Sequence, residues 1–86
     1  MKLQFTETGW EHYEYWQTAD ARILAKINEL LKDCRRSPYS GIGKPEALRN
    51  NLSGWRSRRI SEEHRLVYRV DGEVLIVAQC RYHYSR

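Results

Sequence analysis

Residues 55–80, WRSRRISEEHRLVYRVDGEVLIVAQC, decide the fold, because here the apolar pattern repeats every second residue. Leu66, Tyr68 and Val70 alternate with Arg65, Val67 and Arg69, which predicts a strand with one face on a core. Asp71-Gly72 is a hairpin signal. In the next run Val74, Ile76 and Ala78 alternate with Leu75 and Val77, so both faces are apolar and the strand should be a central one. Trp55–Ser61 reads as a further strand and Ser61–Glu63 as a turn.

Upstream, Leu3 and Phe5 share one face of a short strand over 2–6. Trp10, Tyr13 and Trp16 recur at helical spacing, predicting a helix over about 8–18 whose aromatic stripe packs in a core or an interface. Ile23, Leu24, Ile27, Leu30, Leu31 and Cys34 form a continuous stripe on a second helix over 19–35. Ser37-Pro38 stops it. Residues 37–54 are the longest irregular stretch, with one helical turn expected at Glu46–Arg49. The order predicts a single α+β domain over 1–86: two N-terminal helices on one face of a twisted, mainly antiparallel sheet. The other face, carrying Arg65 and Arg69, is left open for chemistry.

The net charge is +4, and from Lys44 to Arg86 nine basic residues stand against five acidic ones. An arginine-rich half fits a polyanion, since guanidinium forks match phosphate geometry; a solvated surface would explain +4 alone. Cys34 and Cys80 stand in no metal-ligand spacing, and cysteine's burial habit favours free thiols over a disulfide. His12, His64 and His83 are scattered, so neither a metal nor another cofactor is expected. No apolar run is long enough for a membrane span, and MKLQF lacks the blocks of a signal peptide, so a cytosolic location is expected.

Metal-free RNA cleavage needs a base for the 2′-hydroxyl, a cation for the phosphoryl oxygens and an acid for the leaving oxygen. Glu46, Arg65 and His83 supply these residue types. Each also has a plain reading: an acid in a first helical turn, an exposed strand arginine, a frayed tail histidine. Tyr82 and Tyr84 could stack on bases. Trp55 could do so too, or seal the sheet edge.

The segments INELLKDCRRSP, GKPEALRNNLSGWRSRRISEEHRLVY and CRYHY, with the start MKLQFTETGWEHYEYW, resemble the YoeB toxins of the RelE superfamily over essentially the whole chain. The resemblance implies a RelE-like, microbial-ribonuclease-like fold and cleavage of mRNA in the ribosomal A site. It also implies neutralisation by a YefM-type antitoxin, operator DNA contacted only through that antitoxin, and a capacity to form homodimers. By motif position, Glu46 in GKPE resembles the general base, His83 in RYHY the general acid, Arg65 in EHRLVY the phosphate-stabilising cation, and Tyr84 the residue completing the site. Lys44, Arg49 and Arg59 resemble RNA or phosphate contacts. Three departures stand out. Ser85-Arg86 follow Tyr84, where the family commonly ends; Arg49 stands where lysine is common; and Trp55-Arg56 replaces what is often an aromatic pair. The rival expectations are a non-catalytic RNA- or ribosome-binding module and an antitoxin-binding corepressor.

Overall fold

In a computed structural model, residues 1–84 are described. Strand β1 (Lys2–Phe5) leads into helices α1 (Glu7–Ala19) and α2 (Ala21–Arg36). Strands β2 (Glu46–Ala47), β3 (Arg56–Arg59), β4 (Arg65–Asp71) and β5 (Val74–Gln79) follow, with a 3-10 turn at Asn50–Leu52. The sheet order is β1-β5-β4-β3-β2; β1 runs parallel to β5 and the other pairs are antiparallel. This is the expected α+β arrangement, and β5 is flanked on both sides as its apolar run requires.

The helices begin where caps allow. Thr6 Oγ1 accepts from the Gly9 amide at 3.0 Å, and Asp20 Oδ1 accepts from the Arg22 and Ile23 amides at 2.9 and 3.3 Å. Arg35 and Arg36 close α2 at the negative end of its dipole. Ile27, Leu30, Leu31 and Cys34 of α2 pack on Leu66, Tyr68, Leu75 and Val77 of the sheet. Each such aliphatic side chain contributes roughly 1.5–3 kcal/mol by leaving water. From the aromatic stripe of α1 only Trp16 is fully in this core; Tyr13 is half-buried and Trp10 is exposed. Gly9 lets α1 sit directly on β5, because a Cβ there would collide with the Val77 carbonyl.

Both thiols are free and buried, as expected; burial pushes Cys34 up to about 11 and Cys80 up to about 12. No helix among the described residues is long and apolar enough to cross a membrane.

Three local expectations need correction. The Glu46–Arg49 stretch is not a helical turn: Glu46 and Ala47 pair with Ser57 and Arg56 as an edge strand, and the helical turn comes later, at Asn50–Leu52. Asp71 pairs with Val74, so the hairpin loop is Gly72-Glu73, with Gly72 at φ +60°. The alternation of β5 also slips. Val67 pairs with Gln79 but Tyr68 with Val77, so Ala78 is a bulge residue that resets the face of everything after it.

The long loop after α2 is ordered by one side chain. Arg58 is fully buried. It donates to the Ser37, Ser40 and Ile42 carbonyls at 2.6, 2.8 and 3.0 Å, to Asp33 Oδ2 at 2.6 Å and to Tyr68 Oη at 3.3 Å. Five acceptors around a guanidinium satisfy a charge that would otherwise be costly to bury. The consequence is positional, since the tied loop delivers Lys44 and Glu46 to the sheet edge.

Candidate active site

Strand register assigns the sheet face turned away from the helices, on which Ser57 and Val67 are buried and Glu46 is exposed. Glu46, Ser57, Val67 and Gln79 form one row across β2–β5, because paired residues point to the same side. Arg59 pairs with Arg65 in the next row. Glu46 and Arg65 are therefore two strands apart (about 10 Å) and two residues along (about 7 Å), roughly 12 Å between Cα atoms. Like charges directly opposite one another cost stability. Here each cation has its own partner: Arg59 lies 4.0 Å from Glu62, and Arg65 turns to the carbonyls of the 61–64 turn.

Arg65 differs from expectation. It does not project freely into solvent but is only 7 % exposed. Its side chain folds back on the 61–64 turn, where one guanidinium nitrogen donates to the Ser61, His64 and Glu62 carbonyls at 2.7, 3.0 and 3.2 Å. Those three carbonyls converge because the turn doubles back, and they hold the cation in one orientation. Its other two nitrogens make no hydrogen bond among the described residues.

The tail bends back over the same face. Tyr84 and residues 46–52 line a shallow cleft of about 370 Å³, so Glu46, Arg49 and Tyr84 meet there. The His83 and Tyr84 rings lie 4.4 Å apart and tilted by 34°. Lys44 is exposed just ahead of β2, with φ +52°. Arg59 is exposed, 4.0 Å from Glu62. Trp55 carries the Arg69 guanidinium 5.3 Å above its ring, a cation–π contact on this face. Ser85 and Arg86, noted as a departure, lie outside the described residues.

Four residues escaped the sequence reading because they act on the tail's backbone. Trp16 Nε1 donates to the Cys80 carbonyl at 2.8 Å, and His12 Nδ1 accepts from the Cys80 amide at 3.2 Å. His64 Nδ1 accepts from the Tyr82 amide at 2.7 Å, and Gln79 donates to the tail's carbonyls. Burial, with a smaller contribution from Arg81, lowers the pKa of His12. Arg81 itself turns toward α1 and stacks on Tyr15 at 3.5 Å.

A two-helix layer on a five-stranded mixed sheet makes this a small α+β domain, with Glu46, Arg59 and Arg65 on the sheet face turned away from the helices. Toxin YoeB of Escherichia coli K12 is 61 % identical over 84 residues, spanning 98 % of this chain and 100 % of that protein. The YoeB/ParE toxin from Agrobacterium tumefaciens superposes with TM-score 0.95 at 51 % identity, covering 98 % of this chain and 100 % of that one. YoeB from Staphylococcus aureus, solved in complex with YefM, superposes with TM-score 0.90 at 47 % identity, covering 98 % of both chains. The model of the YoeB-like toxins of bacterial type II toxin–antitoxin systems matches residues 5–84. The chain belongs to that family.

Proposed function

We propose that this protein is an endoribonuclease that cuts mRNA in the ribosomal A site without a metal. What supports the reading is a shared sheet face, with Glu46 at the β2 edge and Arg59 opposite Arg65, and a tail whose Tyr84 lines the cleft that holds Glu46 and Arg49. Glu46 takes the proton of the 2′-hydroxyl, whose oxygen attacks the adjacent phosphorus. Arg65, held by its three carbonyls, meets the charge that builds on the phosphoryl oxygens, with no reorganisation needed at that moment. His83 gives a proton to the departing 5′-oxygen, leaving a 2′,3′-cyclic phosphate. Tyr84 completes the site, walling the cleft into which the neighbouring nucleotide fits. Lys44, Arg49 and Arg59 contact flanking phosphates.

The partner follows the family. A YefM-type antitoxin neutralises the toxin and carries its contact with operator DNA; the Staphylococcus aureus YoeB–YefM complex supports the pairing itself. A YoeB dimer from the same organism supports self-association. Primer extension on mRNA in a reconstituted translation reaction tests the activity. Cuts at A-site codons by the wild type, most of them lost with His83→Ala, are expected. Ribosome binding without strand breaks would instead make the protein a silent binding module.

A further inference from the structure

The tail that carries His83 is tied down around a single side chain. Gln79 ends β5 and, paired with Val67, faces the open side of the sheet. Its Nε2 lies 2.9, 3.1 and 3.1 Å from the carbonyl oxygens of Arg81, Tyr82 and His83. Three acceptors around two hydrogens share the donation, and they close residues 81–83 into one turn. Within that turn Tyr82 sits at φ +67°, a left-handed conformation that a side chain rarely adopts. It stays there because its amide is accepted by His64 Nδ1 at 2.7 Å and its carbonyl accepts from the Arg65 amide at 2.9 Å as well as from Gln79. His83 is exposed, so packing does not fix it. The backbone turn does.

We propose that Gln79 is a positioning residue for the cleavage reaction, its carboxamide closing the 81–83 turn and so aiming the His83 imidazole at the linkage that Glu46 and Arg65 address. The proposal rests on the nuclease reading. Gln79 acts through His83: within the described tail its hydrogen bonds go to main-chain oxygens alone.

The test uses Gln79→Ala and Gln79→Glu. The second keeps the shape but sets an acceptor against three carbonyls. Cleavage is followed over a range of ribosome concentrations, for each variant alone and for Gln79→Ala combined with His83→Ala. Amide relaxation of Tyr82 and His83 in the purified protein is measured beside it and needs no cleavage. Both variants should melt close to wild type, lose about 10-fold in the saturating rate, and keep the half-saturating ribosome concentration. Their Tyr82 and His83 amides should gain motion. In the His83→Ala background Gln79→Ala should cost nothing more. An undiminished rate, tail amides as rigid as wild type, or a loss that multiplies onto that of His83→Ala overturns the proposal. Wild type that cuts no mRNA, or His83→Ala cutting at the wild-type rate, overturns the nuclease reading instead, while the relaxation data still decide whether Gln79 holds the tail.

Discussion

Arg58 donates to Asp33 Oδ2 at 2.6 Å, joining the buried face of β3 to the last turn of α2. Asp33 Oδ2 also accepts the Ile42 amide at 3.1 Å, so one carboxylate fixes the loop that leads to Glu46. The site is thus downstream of a buried ion pair at the opposite end of that loop.

Arg58→Ala is therefore expected to act on stability rather than on RNA affinity. Asp33 keeps Arg36 at 2.8 Å, but the Ser37, Ser40 and Ile42 carbonyls lose their donor, at about 1–3 kcal/mol for each that stays buried and unsatisfied. Urea denaturation should show that loss. An Arg58→Ala protein of wild-type stability but weakened ribosome binding would reverse the assignment.

His12 makes stability depend on pH. Its folded-state pKa lies below its ordinary 6.5, first because burial disfavours the cation and then because Arg81 is near, with His64 adding to the effect and Glu11 opposing it. The unfolded chain therefore binds the proton more readily. The His12 contribution is complete above about pH 6.5 and is lost as pH falls toward the depressed folded value. His12→Asn can keep an acceptor for the Cys80 amide without the titration. Melting curves between pH 8 and pH 5 should fall more steeply for wild type than for His12→Asn, and parallel curves would contradict the account.

Arg65→Ala should move two quantities at once. Losing a preorganised donor to developing charge costs roughly 10²–10³ in rate. The same substitution frees the Ser61, Glu62 and His64 carbonyls and should cost about 1–2 kcal/mol of stability. Single-turnover cleavage read beside a denaturant titration separates the two losses. A variant with unchanged rate would remove Arg65 from the chemistry.

The frame was legible because it rests on local periodicity. The alternation of Leu66, Tyr68 and Val70 and the stripe from Ile23 to Cys34 give the strand, the second helix and their common core. What periodicity cannot carry was lost. The two-residue strand β2 is too short to show a period, and one bulge at Ala78 reverses the face on which Gln79 and Cys80 lie. The order of the 37–44 loop depends on Arg58 and Asp33, 25 residues apart. The candidate chemistry was readable as residue types and as family motifs in Glu46, Arg65 and His83. Their supports were not, since His64 meets the Tyr82 amide across 18 residues and His12 meets the Cys80 amide across 68.

The central claim, that an imidazole from the tail completes a phosphodiester cleavage begun by Glu46, is tested most directly by changing the leaving group. An mRNA with sulfur in place of the bridging 5′-oxygen at the cut linkage leaves as a thiolate, which needs no proton from an acid. On ordinary mRNA, His83→Ala should cut far more slowly than wild type. On the sulfur-bridged mRNA the two should cut at rates within a few-fold of one another, while Glu46→Ala stays slow. An equal His83→Ala deficit on both messages would contradict the account.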